Sequence, residues 1–152
     1  QGVSSAASDV YKRQALNGQA DLVFVDAPCS GSGTWRRRPE DAWRLTAEEV
    51  EKLHGLQVRI LGQAAKLVKP GGRLIYVTCS MLARENEASV DAFEAANSEF
   101  SPVAAPELLS AGQLTDAARA KFAELTSGAR LRLSPLSADT DGFFAAVYER
   151  TA

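Results

Sequence analysis

Cys29 and Cys79 are the only thiols in the chain, and each follows a short apolar run. Leu22-Val23-Phe24-Val25 leads into Asp26-Ala27-Pro28-Cys29-Ser30, and Leu74-Ile75-Tyr76-Val77 leads into Thr78-Cys79-Ser80. A cysteine reacts as its thiolate, a strong nucleophile toward electron-poor carbon. An ordinary thiol, with a pKa of about 8.5, is mostly protonated at neutral pH, so a site that uses one is expected to lower that value. Two cysteines and a single histidine supply neither a disulfide framework nor a zinc ligand set. The expectation is free thiols, no metal and a reducing, cytoplasmic setting. Taken singly, a strand-end cysteine is more often packing than catalysis, and Asp26 reads equally as a turn cap or a site carboxylate. The repetition of the plan is what points to a site.

The elements that must position these groups follow from periodicity. Both apolar runs have the length and β-branched content of strands buried on both faces. Between them, Thr46-Ala47-Glu48-Glu49 is a capping box that starts a helix running to about Val68. Its apolar stripe is Val50, Leu53, Ile60, Leu61, Ala64, Leu67 and Val68, and Lys69-Pro70-Gly71-Gly72 stops it. A strand, a crossover helix and a strand make the two strands parallel and right-handed in connection. If they are neighbours, about 4.8 Å apart, Asp26, Cys29 and Cys79 meet beyond their carboxyl ends. A second helix is expected to about Asn97, with Val90 and Phe93 inward, then a surface connection over Ser98 to Ser110 and a helix over Thr115 to Leu125. Ala129 to Leu133 and Phe143 to Tyr148 read as an antiparallel pair at the sheet edge, joined by the Asp141-Gly142 turn.

Composition bounds the partners. The 152 residues are one domain's worth, with a 45% hydrophobic and 24% charged make-up that suits a globular α/β fold. Residues 1–14 are polar and aperiodic and read as a disordered lead or joining segment, leaving residues 15–152 as the domain. A net charge of −2 carries no whole-chain nucleic-acid signature, so such a partner needs a local patch. Arg36, Arg37 and Arg38 beside Trp35 make one, on the lip of the expected crevice. No apolar run is long enough to span a bilayer and no apolar leader segment is seen, so no membrane partner is expected. Gly31 and Gly33 lack the Lys-Ser/Thr ending of a phosphate loop and are read as letting the backbone pass close to a substrate. Gln57 falls on the helix's apolar stripe, where its amide needs partners; it is expected to brace the loop after Asp26. His54 reads as a surface or boundary residue.

These motifs in this order resemble the RNA cytosine-5 methyltransferases of the RsmB/NOP2/Sun group. The resemblance is carried by Asp26-Ala27-Pro28-Cys29-Ser30-Gly31-x-Gly33, Leu67 to Gly72, Thr78-Cys79-Ser80, Glu85-Asn86-Glu87 and Asp141-Gly142-Phe143-Phe144-Ala145. It implies a Rossmann-like class I methyltransferase fold, S-adenosylmethionine as cofactor and RNA as partner, ribosomal RNA ahead of transfer RNA. It implies Cys79 as the nucleophile that adds to carbon 6 of cytosine, and Cys29 as the thiol that assists product release. Asp26 and Pro28 would lie toward the cofactor, with Asp26 also at the base's polar edge, and Arg36, Arg37 and Arg38 toward RNA. Addition at carbon 6 makes the ring an enamine whose carbon 5 can attack an electrophilic methyl. In DNA cytosine-5 methyltransferases the loop cysteine is the nucleophile and the later one is missing, so Cys79 separates the two classes.

No glycine-rich strand-turn unit precedes Asp21. The expectation is therefore the C-terminal half of a catalytic domain, a missing N-terminal half of the same enzyme as partner, weak cofactor binding and an exposed strand edge prone to self-association. A catalytically silent α/β module that binds RNA or protein is the alternative reading.

Overall fold

The computed structural model describes residues 16–104 and 115–151; the expected lead over residues 1–14 and most of the second half of the Ser98 to Ser110 connection lie outside them. Strand β1 (Ala20–Asp26) is followed by a single 3-10 turn (Ser32–Thr34), a short helix α1 (Pro39–Arg44) and the long helix α2 (Ala47–Ala65). Then come β2 (Val68–Thr78), α3 (Glu87–Ala96), β3 (Phe100–Pro102), α4 (Asp116–Glu124), β4 (Thr126–Ser127), β5 (Arg130–Leu133), α5 (Pro135–Ala138) and β6 (Phe143–Arg150).

The crossover behaves as its sequence dictates. β1 and β2 pair in parallel, with Val23 beside Leu74 and Val25 beside Tyr76. The capping box that starts α2 is formed: Thr46 Oγ1 accepts from the Glu49 amide at 3.2 Å, and the Glu49 carboxylate accepts from the Thr46 amide at 2.8 Å. The helix ends at Ala65 rather than near Val68, and Val68 opens β2. The reason is competition for backbone groups: the Lys66 and Leu67 carbonyls accept from the amides of Gly18, Gln19 and Ala20, which ties this corner to the start of β1.

Beyond the parallel pair the sheet is antiparallel, in the order β1-β2-β6-β5-β4, with β3 also on β6. The terminal strands are antiparallel as expected, but β6 is not at the edge. It lies beside β2, with Leu74 opposite Tyr148 and Tyr76 opposite Ala146, and among the described residues the ends of this strand order are β1 and β4.

One face of the sheet carries the core. Leu74 and Tyr76 of β2 and Phe144, Ala146 and Tyr148 of β6 form one buried cluster with Leu61 of α2 and Val90 and Phe93 of α3. Phe93 meets Tyr148 at 5.0 Å and Phe100 at 5.4 Å between ring centroids, tilted or edge-on. The expectation that β1 is buried on both faces is corrected here. Val25 is buried on the helix side, whereas Leu22 and Phe24, which alternate to the other face, are 55% and 60% exposed. A strand with α2 on one side and water on the other cannot hide both halves of an all-apolar run.

An exposed apolar face on an edge strand is an association surface. Phe24→Lys is expected to lower self-association of the chain in sedimentation velocity while leaving its thermal midpoint within a few degrees. Unchanged association would show that this edge is not the sticky one.

Candidate active site

The parallel pairing delivers both loops to one end of the sheet. Ala27 extends the ladder by donating to the Val77 carbonyl at 2.9 Å, and the chain then turns into Pro28 and Cys29. Cys79 follows directly on the end of β2. The two sulfurs are 3.4 Å apart, although 50 positions separate them in sequence, and both are half-buried and free. The expected convergence of Cys29 and Cys79 is what the coordinates hold.

Burial pushes the Cys29 thiol up to about 12; the neighbouring Cys79 adds to the rise and the Gly31 backbone amide opposes it. The expectation of a lowered pKa belongs to the attacking thiol; at Cys29 desolvation outweighs the amide and the shift runs upward. At neutral pH Cys29 keeps its proton. Asp26 and Pro28 are exposed at the end of β1. Among the described residues nothing is paired with the Asp26 carboxylate, so both residues present free atoms at the sheet's outer edge.

A buried acid that the sequence reading counted within the Glu85-Asn86-Glu87 motif, with no role of its own, joins the two loops. The Glu85 side chain is fully buried, and its Oε2 accepts from Ser30 Oγ and from Ser80 Oγ, each at 2.5 Å. Its Oε1 accepts from the Ser30 amide at 2.7 Å and from Gln57 Nε2 at 3.3 Å. Ser30 and Ser80 are the residues that follow Cys29 and Cys79, so one carboxylate grips both thiol loops in the same way. The sequence signal was present: a serine after each cysteine, and an acid five residues past the second. Nothing in their spacing says that the acid turns inward.

Three further contacts fix the loops. Gln57 braces the first loop as expected, donating to the Pro28 carbonyl at 2.9 Å while its Oε1 accepts from Ser89 at 2.9 Å. Since Ser89 spends its proton on Gln57, the His54 Nδ1 2.9 Å away is the donor to Ser89, which leaves His54 at the boundary and outside the thiol site. Asn86 accepts from Thr78 Oγ1 at 2.6 Å and donates to the Ser80 carbonyl at 2.9 Å, holding the second loop. The Gly33 amide donates to the Cys79 carbonyl at 2.9 Å, and the Gly142 amide donates to the Gly33 carbonyl at 2.9 Å. A Cβ on Gly33 would stand 2.2 Å from the Gly142 carbonyl oxygen, and one on Gly142 would stand 2.4 Å from Met81 Sδ. So Gly33 serves close backbone packing between protein segments, and the Asp141-Gly142 signal marks that contact rather than a hairpin turn.

The arginines are placed differently from a free basic run. Arg37 pairs with Asp141 at 2.5 Å, Arg36 stands 3.7 Å from the same carboxylate, and Arg38 pairs with Asp41 at 3.1 Å. Their side chains are still 62–67% exposed, so their heads reach solvent along one rim. A groove of about 460 Å³ runs from Ser30 between α1 and the start of α2, lined by Arg44, Leu45, Lys52, Leu53 and Leu56. Among the described residues no group of His, Cys, Asp and Glu is placed to hold a metal ion, and no helix is long and apolar enough to cross a membrane.

A parallel strand pair with a crossover helix, followed by an antiparallel return strand beside it, belongs to the Rossmann-like methyltransferase class of α/β folds. The chain belongs to the family described as 16S rRNA methyltransferase RsmB/F, which it matches over residues 3–149. It is 34% identical over 129 residues to the ribosomal RNA small subunit methyltransferase B of Xanthomonas campestris, covering 84% of this chain and 26% of that protein. It is 36% identical over 128 residues to the probable ribosomal RNA small subunit methyltransferase B of Bacillus subtilis, covering 84% and 27%. The chain thus spans about a quarter of the length of these curated relatives. Among solved structures, that of PH0851 superposes with a TM-score of 0.71 at 36% identity over 88% of this chain and 27% of that one. A methyltransferase homologue protein from Pyrococcus horikoshii does so with a TM-score of 0.62 at 28% identity, over 90% and 41%.

With its pKa near 12, Cys29 in the folded chain is expected to react with iodoacetamide at pH 8 roughly a thousandfold more slowly than a thiol of ordinary pKa. Site-resolved mass spectrometry, with the urea-unfolded chain as the reference, reads the ratio. Equal rates in the two states would mean that Cys29 is not desolvated.

Proposed function

We propose that the chain carries the base-activating end of an S-adenosylmethionine-dependent RNA cytosine-5 methyltransferase, with ribosomal RNA as the substrate. The observation that supports this most is the pair of sulfurs at 3.4 Å, presented by the carboxyl ends of two adjacent parallel strands. Cys79 is the nucleophile. Its sulfur adds to carbon 6 of the cytosine, and the ring's electrons shift to carbon 5. After carbon 5 has gained the methyl group, its remaining hydrogen leaves as a proton to a base, the carbon 5–carbon 6 double bond re-forms, and the bond from carbon 6 to Cys79 breaks. Cys29, which holds its proton at neutral pH, stands where it can donate that S–H to the departing Cys79 sulfur. The acid's part in this assignment rests on the burial that keeps the proton on Cys29.

S-adenosylmethionine, when bound, supplies the methyl group as an electrophile. The residues present fit one flank of it. Asp26 and Pro28 present an exposed carboxylate and an apolar ring at the open edge of β1, and among the described residues no second wall faces them. Asp26 is placed to steady positive charge or the polar edge of the cytosine. Arg36, Arg37 and Arg38 line a rim where RNA phosphates can be met, and a groove opens at Ser30, the residue after Cys29.

Two outcomes test the reading. In the complete enzyme that carries this segment, Cys29→Ala is expected to accumulate a covalent RNA adduct on Cys79, seen as a denaturation-resistant shift in electrophoresis, and Cys79→Ala to form none. An adduct on Cys29 would move the chemistry to the DNA-enzyme scheme, and no adduct in either variant would favour a silent binding module. The chain by itself, with one flank of the cofactor site, is expected to show no saturable heat with S-adenosylmethionine at micromolar concentration in calorimetry. Micromolar binding would show that the flank suffices.

A further inference from the structure

We propose that Glu85 is the positioning residue of the thiol pair, setting the spacing of Cys29 and Cys79 by gripping the serine that follows each. The inference rests on reading the two thiols as one reactive site, and the argument for it is geometric. A buried carboxylate needs matched donors or a cation. Among the described residues Glu85 forms no ion pair; its donors are the Ser30 hydroxyl and amide, the Ser80 hydroxyl and the Gln57 amide, drawn from three separate segments. Ser30 and Ser80 are each one peptide unit from a cysteine, so displacement of a serine passes through a near-rigid link to the sulfur beside it.

The rest of the scaffold makes this role separable from folding. The loops are also joined by the Gly33 amide on the Cys79 carbonyl, by Ser32 Oγ and Ser80 Oγ at 3.0 Å, and by the Met81 amide on Ser32 Oγ at 2.9 Å. These bonds keep the loops together when Glu85 is altered, and the carboxylate decides how the two sulfurs face each other. Glu85→Leu is nearly the same size but accepts from none of the four donors and so cannot grip either serine; a glutamine there could still donate its amide to the two hydroxyl oxygens, which have lone pairs to accept.

Phenylarsine oxide reads the spacing without RNA or cofactor. It closes on two side-by-side thiols, forming two S–As bonds, while its oxygen leaves as water with the two thiol protons. The 152-residue chain is expected to bind it in a one-to-one adduct in intact-mass measurement, and Glu85→Leu, shown folded by circular dichroism, to bind about tenfold or more weakly. Glu85→Asp, which keeps the charge but is one methylene shorter, is expected to recover only part of that loss. Equal affinity in the folded Glu85→Leu chain would overturn the proposal, because a merely structural acid changes the melting temperature and not the sulfur spacing. Should that variant fail to fold, Ser30→Ala and Ser80→Ala each remove one arm of the grip; weaker binding in both supports the role, and wild-type binding in both overturns it. A chain whose arsenical binding depends on Glu85 while the complete enzyme forms no RNA adduct would retire the methyl-transfer reading and keep the positioning role.

Discussion

A carboxylate taken out of water needs matched donors, and among the described residues Glu85 meets that demand with four donors and no cation. Removing a partner from a buried polar group costs about 1–3 kcal/mol, more when the group is charged. Each of the three segments that feed Glu85 is therefore under pressure to be where it is. The first loop supplies Ser30, helix α2 supplies Gln57, and the second loop supplies Ser80. None of them can move without stranding the acid. The helix is drawn in by the same constraint, since Gln57 would otherwise be an amide on an apolar stripe with nothing to bind. The Glu85 backbone joins in as well, accepting from the hydroxyl of Tyr76 at 2.7 Å in the middle of β2. Sheet, helix and both thiol loops are thus fastened to one residue.

The sheet itself answers a different constraint, the twofold alternation of side chains along a strand. Helices α2 and α3 cover one face, which fixes Val25, Leu74, Tyr76, Phe144, Ala146 and Tyr148 inward. The alternate residues of β1 are just as apolar, yet Leu22 and Phe24 face water. The same outer edge carries the exposed Asp26 and Pro28. Surface that covered the two apolar side chains would stand beside the carboxylate too, so the solubility of this edge and its capacity to enclose a ligand are physically linked.

What the sequence disclosed, and what it withheld, divides along the range of the interactions. The crossover was legible because apolar runs, a capping box and a glycine stop are local signals, and a parallel pair follows from them by chain geometry. The meeting of Cys29 with Cys79 came with it, as did the brace from Gln57, since an amide on an apolar stripe advertises its own need. Glu85 was not legible as a grip. An acid ahead of a helix is ordinary at the favourable end of its dipole, and only the folded chain shows it turned inward. The position of β6 was misread because a turn signal says that two strands are antiparallel and nothing about which neighbour lies on the far side. The arginines were legible as a basic patch, but their pairing with Asp141 and Asp41 depends on a chain reversal more than a hundred residues on for two of them.

The two thiols look alike in sequence, each at a strand end and each followed by serine, and they meet at 3.4 Å. Burial, with the neighbouring Cys79, raises the Cys29 thiol against the pull of the Gly31 amide. That loop is held down by Gln57 on the Pro28 carbonyl and by Glu85 on Ser30, so the groups that fix its position also keep its thiol dry. Both loops are clamped on either side of their cysteines, the first at Pro28 and Ser30 and the second at Thr78 and Ser80, so the two sulfurs are held as one unit.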